Sequence, residues 1–324
     1  MAEIRDGFVG KTVLVTGGSG LIGAALIEYL LGNPGVRVVG AGRSEAKFSR
    51  FSTHSNFKYL KYDATGEFES EDDADVIVHA ASAASPDLYL TKPVETMLAN
   101  IAGINEILKY AVGRQCKIVY VSSSEVYGNA EPRINGFVET DGGYVDLLNP
   151  RSSYPMGKRA AETLCASYCA EYGVDVSIVR PGHIYGPTAT ESDMRVSSLW
   201  PRQAAKGEDI EMKSEGTQVR SYTHSYDCAT AILTVALHGR SGEVYNIANP
   251  SVVCSIRQLA EEVALAGGVK LISKCPTAKD LAAFNPMDNS RIDAAKLVGL
   301  GWKPIYDVHS GIMQTIREIK CRMR

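Results

Sequence analysis

The chain has 324 residues, 45% hydrophobic and 22% charged, with a formal net charge of -3, enough to bury one large domain and a smaller lobe. Lys and Arg are scattered singly on a weakly acidic chain, which excludes an electrostatic footprint for a nucleic-acid backbone or an anionic membrane. The longest apolar runs are strand-length and the N-terminus lacks the charged-then-apolar pattern of a signal peptide, so a cytoplasmic protein is expected.

In chain order, short β-branched runs at 11–16, 36–41, 57–62, 76–79, 117–122 and 176–180 read as strands. Amphipathic stretches at 21–31, 94–111 and 154–172 read as the helices between them. Buried strands alternating with helices predict an α/β fold with a parallel, doubly wound sheet of the Rossmann type over residues 1–180. Residues 181–324 loosen into Gly, Pro and charged turns with helical segments near 196–206, 227–238, 256–266 and 310–320. They are expected to form mainly a smaller C-terminal substrate lobe, with a soft boundary that the chain can cross in either direction.

The first strand runs into Thr16-Gly17-Gly18-Ser19-Gly20-Leu21-Ile22-Gly23 and then a helix. Gly17, Gly20 and Gly23 at this spacing permit a tight turn, close approach of backbone to a pyrophosphate, and helix-on-strand packing. Leu21 and Ile22 open the helix, whose N-terminus supplies N–H groups to an anion. A bound NAD or NADP is the expectation. The second strand ends without the acidic residue that bonds the ribose hydroxyls of NAD; Arg43 stands there, and a guanidinium fork suits a 2′-phosphate, so the chemistry leans slightly to NADP. Asp63, with Ala64 beside it, is a candidate adenine contact past the third strand. Ala80, Ala81 and Ser82 should line the cofactor with small side chains, and Pro181, just past the sixth strand, is a further candidate cofactor contact.

Tyr154 and Lys158 lie four apart at the start of a helix, on one face. A phenol titrates near 10, and a neighbouring ammonium favours the phenolate, so Tyr154 is expected to take a hydroxyl proton while Lys158 tunes it and holds the nicotinamide ribose. The fifth strand ends in Ser122-Ser123-Ser124-Glu125-Val126-Tyr127-Gly128, at the carboxyl edge where ligands of such sheets bind. Ser123 is placed for the reacting oxygen, Glu125 for acid or base work, and Ser122 for a cap or turn. Seven cysteines, an odd number without CxxC pairs, read as buried thiols, and no metal site is expected.

With these motifs the chain resembles the extended short-chain dehydrogenase/reductase family, in its nucleotide-sugar branch of epimerases, 4,6-dehydratases and decarboxylases. The likeness rests on TGGSGLIG at 16–23, HAASAASPDLY at 79–89, SSSEVYG at 122–128, RSSYPMGKRAAE at 151–162, RPGHIYGP at 180–187 and LGWKP at 300–304. It implies oxidation of a sugar C4 hydroxyl by bound NAD(P), chemistry on the 4-keto intermediate, and return of the hydride. Ser124 stands where the dehydratases carry an Asp, which argues for an epimerase or a decarboxylase. The motifs look closest to UDP-glucuronate decarboxylases, with Ser124 among the catalytic candidates and Ser85, His183, Arg195 and Arg220 as substrate contacts, the two arginines on the diphosphate. Two departures stand out. An Arg expected to hold the sugar carboxylate is displaced or absent in Met287-Asp288-Asn289-Ser290-Arg291, and His183 replaces the usual Asn, either to contact the sugar or its diphosphate or to cap a loop. The resemblance also implies a homodimer through the helices from Val94 and Tyr154. The alternatives are an NAD(P)H-dependent ketosugar reductase and a non-catalytic cofactor-sensing protein, which tends to lose the tyrosine that is intact here.

Overall fold

In the computed structural model, residues 2–82, 84, 86–277 and 287–323 are described. Strands β1 (Thr12–Thr16), β2 (Arg37–Gly42), β3 (Phe57–Lys61), β4 (Val76–His79), β5 (Lys117–Val121) and β6 (Val176–Pro181) form a parallel sheet. Their burial explains their composition: β1, β4 and β5 are covered on both faces, so apolar residues run continuously instead of alternating. One face carries helix α2 (Leu21–Leu31) and the other carries α4 (Pro93–Ala111) and α5 (Ser153–Tyr172). Strand β7 (His183–Tyr185) leaves the sheet one residue after β6.

A four-residue strand, β10 (Val244–Ile247), returns to pair with β6 and completes the order β10-β6-β5-β4-β1-β2-β3. Helix α7 (Ser225–His238) covers this side beside α2, with Ile232, Leu233 and Val235 in the same core as Leu26 and Leu30. The chain thus passes into the second lobe and back. The smaller lobe is built on β9 (Val219–His224), flanked by β7 and by β11 (Val253–Ser255) and packed under α6 (Val196–Lys206), α8 (Ile256–Gly267) and the closing helix Val308–Arg322.

Asp227 on α7 ties the lobes. Its carboxylate accepts the N–H groups of Ile305 and Tyr306, at 3.0 and 3.1 Å, beside the LGWKP segment. Trp302 of that segment is buried, and its indole N–H donates to Thr230 at 3.1 Å. The sequence-expected elements agree with the described ones to within two residues at most ends; the pattern reading did not contain β10 or the short strands of the smaller lobe, β7, β9 and β11 among them.

Candidate active site

The glycine loop has the geometry its spacing requires. Gly17 has φ +66°, a left-handed conformation, and a Cβ there would lie 2.8 Å from the backbone of Ala80. A Cβ at Gly23 would lie 2.3 Å from the Gly17 carbonyl. No side chain caps α2 at Gly20, which leaves its first-turn N–H groups for an anion. The loop opens on a cleft of about 640 Å³ lined by Leu21, Ile22, Arg43, Ala64, Ala81 and Ser82 among others. These features fit a dinucleotide: a backbone cradle closed by any added carbon, a positive helix end, and small residues opposite.

At the ribose end, Arg43 is exposed on the cleft wall. Asp63 accepts both the N–H and the hydroxyl of Thr65, at 3.1 and 2.9 Å. The Thr65 N–H, aided by its hydroxyl and by Arg43, holds the Asp63 carboxyl below the usual range. Ser82 donates to Asn100 at 2.8 Å, and Pro181 is buried opposite Ile247. Arg195 also reaches this cleft, bound to Asp193 at 2.9 and 2.6 Å, with its side chain about one-third exposed.

Tyr154 and Lys158 share a face of α5, as their spacing implies, and both are buried. Lys158 donates to the Val121 carbonyl at 2.8 Å and lies 5.9 Å from the Tyr154 ring centroid. Tyr154 hydrogen-bonds Ser123 and Tyr89. In the chain alone the phenol pKa is raised, not lowered as expected, and Lys158 is not among the leading influences on it. Burial, reinforced by the charge of Glu125, pushes the Tyr154 phenol up to about 12, while Ser123 and Arg195 pull the other way. Burial likewise pushes Lys158 down to about 7, against the favourable charge of Glu162. Burial is the leading influence on both groups.

The strand-end serines divide as their positions dictate. Ser122 donates to Glu162 at 2.5 Å, and Glu162 also accepts two bonds from Arg180, at 3.0 and 2.7 Å, so Ser122 belongs to a packing network behind the site. Ser123 caps the short turn Ser124–Tyr127 through the Glu125 N–H and faces Tyr154, while Ser124 is buried. Glu125 is partly exposed and pairs with Arg151.

His183 packs edge-on against Tyr222, ring centroids 5.6 Å apart, and its Nδ1 is buried without a partner. Burial, with the charges of Arg220 and Arg195, pushes its imidazole down to about 3, so the ring is neutral. Arg220 is buried and donates to the carbonyls of Val219 and Asp288, at 2.9 and 3.3 Å. Arg291 turns away and donates to the Ile134 carbonyl at 2.9 Å. Ser85 lies outside the described residues.

Three residues of the site escaped the sequence reading. Tyr89, Arg151 and Asp193 sit in quoted or neighbouring motifs, but their roles depend on tertiary contacts. The one available signal was Asp193 two residues before Arg195 at a helix start. Among the described residues, no group of three or more His, Cys, Asp or Glu could hold a metal, and no helix is long and apolar enough to cross a membrane.

A family model described as "NAD dependent epimerase/dehydratase family" matches residues 13–248. UDP-glucuronic acid decarboxylase 6 of Arabidopsis thaliana is 32% identical over 320 residues, covering 96% of this chain and 89% of the relative. UDP-glucuronic acid decarboxylase 1 of Xenopus tropicalis is 31% identical over 313 residues, covering 94% and 71%. Among solved structures, the UDP-glucose 4-epimerase of Thermotoga maritima superposes with a TM-score of 0.83 at 22% identity, covering 97% of this chain and 100% of that one. A UDP-glucuronic acid 4-epimerase of Bacillus cereus, in complex with UDP-glucuronic acid and NAD, superposes at 0.82 and 22%, covering 96% and 99%. At this identity the superpositions establish a shared fold.

Proposed function

The chain belongs to the NAD-dependent epimerase/dehydratase family of enzymes, and from that premise we propose that it oxidises the C4 hydroxyl of a nucleotide-linked sugar, lets the 4-keto intermediate react, and reduces it again. The observation that carries this reading is the convergence of Tyr154, Ser123 and Glu125 at the carboxyl edge of the sheet, beside a glycine cradle shaped for a dinucleotide. When bound, the dinucleotide supplies a hydride acceptor and then a hydride donor.

Tyr154 takes the C4 hydroxyl proton as C4 becomes a carbonyl, and Ser123 donates a hydrogen bond to that oxygen. Lys158, on the same face of α5 as Tyr154, holds the nicotinamide ribose. Glu125 serves the sugar as acid or base. The diphosphate is met by Arg195 and Arg220, and His183, a neutral ring with a free buried Nδ1, offers the sugar or its diphosphate one polar contact. Gly17, Gly20 and Gly23 hold the pyrophosphate, Asp63 and Ala64 the adenine end, and Ala80, Ala81, Ser82 and Pro181 the nicotinamide side.

The leading outcome is decarboxylation of a UDP-uronate. The 4-ketone makes a β-keto acid, whose C5–C6 bond breaks to release carbon dioxide; the resulting enolate takes a solvent proton at C5, and Tyr154 returns its proton to the C4 oxygen as C4 is reduced. The names of the relatives support this, and Ser124 speaks against the dehydratase branch because it cannot protonate a leaving C6 hydroxyl as a carboxylic acid would. Epimerisation at C4 is the second reading. It is favoured by Arg291, whose guanidinium is committed to Ile134 and is thus withheld from a sugar carboxylate.

Arg43 supports acceptance of a 2′-phosphate and so of NADP beside NAD. A homodimer through α4 and α5 is supported by Val94, Met97 and Leu98, which stand exposed on α4. Incubation with UDP-, dTDP-, GDP- and CDP-sugars without added cofactor, with products read by mass and proton NMR, tests the reading. Loss of carbon dioxide is expected; turnover only with stoichiometric NAD(P)H makes the enzyme a reductase.

A further inference from the structure

Arg151 sits in a single turn, Pro150–Ser152, immediately before the helix that carries Tyr154. The Asn149 side chain accepts the Arg151 N–H at 3.0 Å and fixes that turn. From there the guanidinium reaches Glu125 with both terminal nitrogens, one to each carboxylate oxygen, at 3.2 and 3.4 Å. Both side chains are mostly withdrawn from water, 14% and 21% exposed. The guanidinium also lies 5.9 Å from the ring of Tyr89, which stacks on Tyr154.

We propose that Arg151 is a positioning residue for proton transfer: its two-point grip fixes the Glu125 carboxylate and offsets the charge of that carboxylate at the Tyr154 hydroxyl. The inference rests on the reading of Tyr154 as proton acceptor. A carboxylate near a phenol opposes phenolate formation, and a cation clamped to that carboxylate offsets part of the effect because the pair is partly desolvated. Glu125 is the leading charge that raises Tyr154.

The groups that face the phenol come from every neighbouring element: Glu125 and Ser123 from the end of β5, Tyr89 from the short helix Pro86–Thr91, Arg195 from the start of α6, and Lys158 from its own helix. Tyr120 also faces Lys158, 4.9 Å from its Nζ. Arg220 is the other cation that acts on Glu125, and it is buried and tied to two carbonyls. Arg151 is therefore the cation that both touches Glu125 and is held by the turn leading into the catalytic helix.

The test is the pH dependence of the first reduction of bound cofactor, followed by absorbance in a single turnover of the cofactor-loaded enzyme with the same panel of nucleotide sugars. Arg151→Gln should move the ascending limb about one pH unit upward, Glu125→Gln should move it downward, and Arg151→Lys should keep the limb near its original place with a lower rate. Displacements of opposite sign are not produced by general damage, and retained dinucleotide binding confirms that each variant is folded. A uniform loss of rate in Arg151→Gln, with the limb unmoved, overturns the proposal and leaves the sugar-oxidation reading intact. A wild-type enzyme that reduces no cofactor with any sugar overturns both.

Discussion

The ring of Tyr154 lies against that of Tyr89, with centroids 4.5 Å apart and planes only 13° from parallel. Burial of the phenol, to which this stack contributes, is the main reason its proton is held tightly in the chain alone, while the hydrogen bonds of Ser123 and Tyr89 pull the other way.

Tyr154→Phe keeps the stack and deletes the proton acceptor. Turnover should fall by about a hundredfold to ten-thousandfold while dinucleotide binding stays within a factor of two or so. Steady-state rates beside a fluorescence titration of the cofactor check this, and a Phe variant with near-normal turnover removes Tyr154 from the mechanism.

Lys158 carries a stability signature. Its amine is pushed down to about 7 by burial, so between that pH and its ordinary value near 10.5 the unfolded chain binds a proton that the folded chain does not. By linkage, stability from this group rises with pH across that window, and its cost is full below about 7. Lys158→Met should therefore unfold at higher denaturant than wild type at pH 7, with an advantage that shrinks toward pH 10. An advantage constant across the window would show that Lys158 is not the titrating group.

Gly23→Ala places a carbon 2.3 Å from the Gly17 carbonyl, at a backbone contact that cannot yield cheaply. The variant should lose dinucleotide retention through purification, read as the absorbance ratio of cofactor to protein. Normal retention would mean that the loop is not the pyrophosphate cradle.

Arg43→Asp replaces the cation at the ribose end with the acid that bonds ribose hydroxyls. Affinity for NADP should drop about tenfold to a hundredfold, the effect of a charge-assisted bond, and NAD should bind as well or better. Unchanged NADP affinity in a competition titration would make Arg43 a surface residue.

Much of this was legible in the sequence because the signals are local. Periodicity separates strand from helix, three glycines define a turn, and four-residue spacing places Tyr154 and Lys158 on one face. What escaped depends on folding in three dimensions. Arg151 meets Glu125 across 26 positions, and Tyr89 meets Tyr154 across 65, with no pattern in either neighbourhood to announce it. The strand Val244–Ile247 was missed because it lies beyond the strand–helix alternation of the first half, and its place is set by pairing with β6. Sign and size of the Tyr154 and Lys158 shifts were equally out of reach, since spacing says nothing of desolvation.

The central claim is that hydride leaves and returns to the same sugar carbon within one active site. UDP-glucuronate deuterated at C4, turned over in the presence of excess unlabelled free NADH and NADPH, tests it directly by mass spectrometry and NMR of the product. Retention of deuterium at C4 is the predicted result; a product carrying protium at C4 would mean that reduction draws on the free pool and would contradict the account.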